Sequence, residues 1–101
     1  MEARYKAKLW VNGKQIPMNQ FVEEFVSHTM VGAVSSLRGA EAVQKLEIHQ
    51  KKGNVKIAVN DTEIPLTPFP NDIISNTLLG IVSSLKNVGE IDSVDIEVES
   101  I

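Results

Sequence analysis

FVEEFVSHTMVGAVSSLRG (21–39) and FPNDIISNTLLGIVSSLKN (69–87) decide the fold between them, because they are one pattern written twice, 48 residues apart and without a gap. The correspondence continues upstream, where VNGKQIPM (11–18) is answered by VNDTEIPL (59–66). Self-similarity over a period of this length marks a supersecondary unit used twice.

Each long stretch carries helical spacing. At 100° per residue, Phe21, Val22, Phe25, Val26, Met30, Ala33, Val34 and Leu37 fill a broad apolar arc, and Glu23, Glu24, Ser27, His28, Ser35 and Arg38 fill the rest. The arc is wider than one sheet-facing side of a helix requires, so something besides the sheet is expected to cover it. Asn19 is suited to the N-cap of a helix over about Gln20–Arg38, and Gly39 to the left-handed residue that ends it. In the second copy Thr67-Pro68 offers an N-cap followed by proline at the first helical position. Pro70 there predicts a start delayed by a turn, and Asn87 takes the place of Gly39 after a helix running to Lys86.

Outside the helices the period falls to two. Tyr5, Ala7, Leu9 and Val11 alternate with Arg4, Lys6, Lys8 and Trp10, which predicts a half-buried strand. Asn12-Gly13 is the preferred dipeptide of a type I′ hairpin, and Lys14–Met18 returns as a short strand that Pro17 either confines to an edge or ends. VQKLEIHQ (43–50) reads as a third strand with Leu46 and Ile48 inward, and KKGN (51–54) turns into the second unit. There Val55, Ile57 and Val59 alternate, Asn60-Asp61 turns, Glu63–Leu66 returns and Ile91–Val98 forms the last strand. The fold expected is α+β: two tandem ββαβ repeats, about 4–52 and 53–101, giving a largely antiparallel sheet with two helices on one face. The short KKGN link favours a hairpin between the third and fourth strands, whereas two-fold pairing of the units threatens to forbid it; strand order is left open.

At 101 residues and 11.1 kDa the chain is sized for one domain with a modest core. A hydrophobic content of 43% is too high for a disordered chain. There is no cysteine, hence no disulfide, zinc knuckle or thiol nucleophile. MEARYKAKLW (1–10) lacks the apolar core of a secretory signal, and no apolar run nears the ~20 residues of a membrane span, so a cytoplasmic protein is expected. The net charge of −3 is unevenly shared. Residues 1–53 hold eight basic and five acidic side chains, a net +3, and residues 54–101 hold two and eight, a net −6. Opposite signs on two like units predict attraction, within the chain or between chains.

The two copies supply their own comparison. Ser27/Ser75, Thr29/Thr77, Gly32/Gly80, Ser35/Ser83 and Ser36/Ser84 are identical pairs inside the helices. Glycine in mid-helix costs about 1 kcal/mol relative to alanine, so its recurrence asks for a packing reason. His28, Gly32 and Ser36 lie a turn apart on one flank, as do Asn76, Gly80 and Ser84. The first reading is a close helix crossing at Gly32 and Gly80, within the chain or across a dimer. The second is a pocket between the helices, with the serines as polar contacts. Val31 and Leu79 interrupt the polar side at matching positions beside Arg38 and Lys86, which makes these four residues a candidate interface.

Catalytic and metal chemistry find little footing. No nucleophile elbow, phosphate loop or paired metal-ligand motif is present. His28 shares a flank with Ser35 and Ser36, but its counterpart is Asn76, and the bland expectation is a partly buried imidazole with a local hydrogen bond. Glu47 and His49 share a strand face with spacing that Asp95 and Glu97 repeat; they would form a surface metal site if the two strands met, but cross-strand charge pairing or a solvated face explains them more simply. Glu23 and Glu24 read as first-turn carboxylates favourable to the helix dipole. Arg4, Lys6, Lys8 and Trp10, with Lys45, Lys51, Lys52 and Lys56, recommend nucleic acid only weakly, because Glu63, Asp95 and Glu97 occupy the matching face. The chain therefore reads as a non-enzymatic, self-associating interaction module without cofactor or metal. The alternative is a small-molecule binding or carrier protein with its pocket between the helices.

Overall fold

The computed structural model describes residues 4–37, 42–85 and 88–101. The order is β1 (Tyr5–Val11), β2 (Lys14–Ile16), α1 (Gln20–Ser35), β3 (Lys45–Lys51), β4 (Asn54–Val59), β5 (Thr62–Ile64), α2 (Pro68–Ser83) and β6 (Ser93–Ser100). The six strands make one antiparallel sheet in the order β2-β1-β6-β3-β4-β5, and with the two helices they define an α+β protein.

The β3–β4 hairpin forms, turning through Lys52 and Gly53, both at positive φ. It is compatible with two-fold pairing because the last strand crosses over. β6 enters between β1 and β3, so that β1 with β6 and β4 with β3 keep one register: Leu9 stands opposite Ile96, and Ile57 opposite Ile48. The opposite charges of the two halves thereby become neighbours. Lys8 faces Glu97, Glu99 lies between Lys6 and Lys45, and such cross-strand pairs each contribute roughly 0.2–1 kcal/mol.

The alternation read from the sequence points every inward residue to one face. A single rung, Ile16–Leu9–Ile96–Ile48–Ile57–Ile64, crosses the whole sheet. Val26, Met30 and Val34 of α1 and Ile74, Leu78 and Val82 of α2 close over it. Gln50 interrupts this core: its amide nitrogen donates to Ser75 Oγ at 3.1 Å, while its buried Oε1 has no partner among the described residues.

β2 and β5 lie at the two edges and stop after three residues each, at Ile16 and Ile64, because proline follows and cannot donate to the ladder. Three local expectations need correction. α2 starts at Pro68 despite Pro70, since the first helical positions have no intrahelical acceptor for an N–H anyway. Thr67 occupies the N-cap position but makes no side-chain cap bond, whereas Asn19 accepts from Val22 N at 2.8 Å. The residue equivalent to Val22 is Pro70, which has no proton to give. Both helices end near Ser35 and Ser83, earlier than expected; Gly39 and Asn87, the expected terminators, lie outside the described residues.

Side chains from the turns and helices tie the sheet ends. Asn12 Oδ1 accepts from Asp92 N (2.7 Å) and Ser93 N (3.0 Å), while its Nδ2 donates to Glu90 O (2.7 Å). Asn60 does the same with Gln44 N, Lys45 N and Ala42 O. Beyond the ends of the short edge strands, Glu23 Oε2 accepts from Ala7 N at 3.0 Å and Asn71 Oδ1 from Val55 N at 2.8 Å. Glu23 therefore satisfies an edge amide that β2 is too short to reach, a role beyond the helix dipole.

Candidate interaction surface

The two faces of the molecule differ in chemistry. The eight Lys and Arg residues among those described lie outside the helices, and of the two 16-residue helices only Glu23, Glu24 and Asp72 are charged, all near the helix starts. Yet the helix layer is where large apolar side chains meet water. Phe21 and Phe69 are 73% exposed, and Phe25 and Ile73 are 50% exposed. The Phe21 and Phe25 rings keep each other company at 6.1 Å. The sheet covers only the middle of each broad apolar arc, and these four residues are the uncovered margin.

The helices run in opposite directions, so the first half of one lies beside the second half of the other. Phe21, Val22 and Phe25 of α1 face Asn76, Thr77, Gly80, Ile81, Ser84 and Leu85 across a groove of about 500 Å³. Three of the six residues expected at a helix crossing or pocket, Asn76, Gly80 and Ser84, thus line one groove. Gly32 and Ser36 are exposed on the corresponding flank of α1.

The expected crossing at the glycines does not occur within the chain. A methyl group added at Gly32 or Gly80 would meet nothing within 4 Å, so both face open space. The serines beside them turn back on their own helix: Ser36 Oγ donates to Gly32 O at 3.2 Å and Ser84 Oγ to Gly80 O at 3.0 Å. His28 is exposed rather than partly buried, and its ring meets that of Tyr5 edge-on at 5.8 Å. Val31 and Leu79 are half-buried against the core, not set in a watery face. Arg38 and Lys86 lie outside the described residues.

Trp10, the basic strand residues and their acidic neighbours share the uncovered face of the sheet. The strands bearing Glu47, His49, Asp95 and Glu97 do meet: Glu47 stands opposite Glu97, and His49 Nδ1 lies 2.6 Å from Asp95 Oδ1. Among the described residues no three His, Cys, Asp or Glu side chains converge as a metal site would require. A shallow hollow of about 490 Å³ beside the His–Asp pair is ringed by Lys51, Lys52, Lys56 and Asn54. At the far end of β3, Lys45 bridges Asp61 (3.3 Å) and Glu47 (3.4 Å). The hydrogen bond to Asp61, then that to Glu47, holds its ammonium above the ordinary lysine range. The acidic column Asp95, Glu97 and Glu99 runs through the middle of this face, which is poor ground for a phosphate backbone.

Fold and surface together define a small α+β protein with a charged sheet face and an almost uncharged, partly apolar helix face. Among the described residues no helix is long and apolar enough to cross a membrane. Compared with known protein families, curated proteins and solved structures, the chain matches none.

Proposed function

We propose that this chain is a non-enzymatic interaction module that self-associates through its helix layer. The observation that carries this is the exposure of Phe21, Phe25, Phe69 and Ile73 on a layer whose helices hold no charged residue but Glu23, Glu24 and Asp72, all within five residues of a helix start. Depletion of charge and enrichment of aromatic residues distinguish the centre of an interface from ordinary surface. The contact surface is thus centred on these four side chains rather than on Val31 and Leu79, whose packing against the core makes them part of the fold.

Sedimentation over a concentration series tests this. The protein is expected to exceed its 11.1 kDa monomer mass, and Phe25→Ser with Ile73→Ser to restore the monomer without loss of helical circular dichroism. Association unaffected by the double substitution would remove the helix layer from consideration.

We also read the chain as two ββαβ units of one origin, 4–52 and 53–101. Support comes from residues 48 apart. The helices begin from Asn19 (φ −76°, ψ 173°) and Thr67 (φ −79°, ψ 168°), and end at Ser36 (φ −82°, ψ −9°) and Ser84 (φ −83°, ψ −10°). Ile48 stands opposite Ile96, its own counterpart, as it would on a two-fold axis.

A second reading draws on the groove: apolar walls with Asn76, Thr77 and Ser84 at hand suit a small, mainly apolar ligand. Such a carrier is a monomer with a reproducible added mass in its native mass spectrum.

A further inference from the structure

Four features of the helix layer bear on how two copies would meet. Its projections and its hollows lie on opposite diagonals. Phe21 and Phe25 stand at the first half of α1, and Phe69 and Ile73 at the first half of α2. The open glycines Gly32 and Gly80, flanked by the small polar side chains of Ser36 and Ser84, occupy the second halves. Because the helices run oppositely, turning a copy face to face about an axis in the plane of the layer exchanges the diagonals. Each projection then lies over a hollow of the other molecule.

Charge points the same way. Each molecule carries −3, so two copies repel, and the helix layer is the face on which fewest charges meet. Contact through the sheets would oppose the Asp95, Glu97 and Glu99 columns. The size is also adequate. A 16-residue helix is about 24 Å long, and two side by side present roughly 24 by 20 Å. That is about 500 Å² per partner in projection, or about 1,000 Å² over both, which meets the lower bound of a specific interface before side-chain relief is added.

We propose that the partner is a second copy of this chain, docked helix layer to helix layer, with Phe21/Phe25 and Phe69/Ile73 of each molecule seated over the Gly80 and Gly32 hollows of the other. The proposal rests on the self-association reading and adds to it the symmetry and the role of the glycines. The product is a closed four-layer dimer, sheet–helices–helices–sheet, in which aromatic rings of the partner fill the 500 Å³ groove. The mid-helix glycines recur in both copies because a side chain there would occupy the seat of the partner's ring.

The test is to fill the hollows. Gly32→Leu and Gly80→Leu, singly and together, add side chains into space that is empty in the monomer, so the monomer fold and its helical circular dichroism are retained. The wild type is expected at twice the monomer mass by sedimentation, and each substitution to raise the dimer dissociation constant about thirtyfold or more, as at an interface hot spot. If the leucine variants dimerise as tightly as wild type while Phe25→Ser with Ile73→Ser dissociates, the helix layer still mediates association but the docking over glycines is wrong. If no substitution alters the dimer, the helix layer is not the interface; if the wild type is monomeric at every concentration, the self-association reading falls as well. Gly80→Ala, the smallest filling, keeps the test open should a leucine variant fail to fold.

Discussion

Asn12 and Asn60 show how much one side chain can settle. Each takes a positive φ, 54° and 50°, which an asparagine tolerates better than most residues. Each also clamps the segment that enters the neighbouring central strand, through three hydrogen bonds. Backbone and side chain make separable contributions. Asn12→Gly keeps the turn and removes the clamp, and at roughly 1 kcal/mol per hydrogen bond it should cost about 2–3 kcal/mol. Asn12→Ala adds left-handed strain and should cost about 1 kcal/mol more. Urea midpoints of the two variants check the difference; equal losses would mean that only the clamp matters and the left-handed turn contributes nothing of its own. The turn was legible from the Asn-Gly dipeptide. The clamp was not, because its partners lie about eighty residues away, and only the identity of the two copies at this position hinted at a second role.

At the scale of elements, both helices were legible from their 3.6-residue spacing and the long strands from their alternation. Their order in the sheet was not, because pairing of β6 with both β1 and β3 leaves no trace in the periodicity of any one strand. The apolar arcs were visible too, but an arc does not say which part of itself the sheet will cover. Phe21, Phe25, Phe69 and Ile73 fell on the uncovered side, and Val31 and Leu79 on the covered one. The helix starts offer a direct comparison. Asn19→Ala removes a cap bond from a donor that needs it and should cost about 1 kcal/mol. Thr67→Ala should cost less than about 0.3 kcal/mol, because proline at the third helical position leaves no donor there to cap. Thermal or urea unfolding of the two alanine variants measures both, and a Thr67→Ala loss matching that of Asn19→Ala would contradict this account.

For the whole molecule, the sheet closes where residues near the two ends of the chain meet. Tyr5 stands opposite Ser100, and Ile101 N donates to Arg4 O at 2.9 Å. This pairing occupies the place, relative to β1 and β6, that the Lys52-Gly53 turn occupies relative to β4 and β3. A permuted chain in which a short turn joins Ile101 to Arg4, opened between Lys52 and Gly53, should therefore fold to the same sheet. Its amide nuclear magnetic resonance spectrum is expected to overlay that of the parent except near the two junctions, and a collapsed or molten spectrum would count against the equivalence.

The seating of β6 has a consequence in time as well as in space. Among the described residues it is the only strand joining the pair β1–β2 to the trio β3–β4–β5, and its contacts with β1 close loops of some ninety residues. Such closures are slow to form and contribute only once made. During synthesis, the hairpins and helices upstream can assemble only as two unjoined patches with open strand edges between them. A ribosome-tethered chain lacking residues 93–100 would remain a client for chaperones, and the force of folding would register on the nascent chain only after the last strand has cleared the exit tunnel.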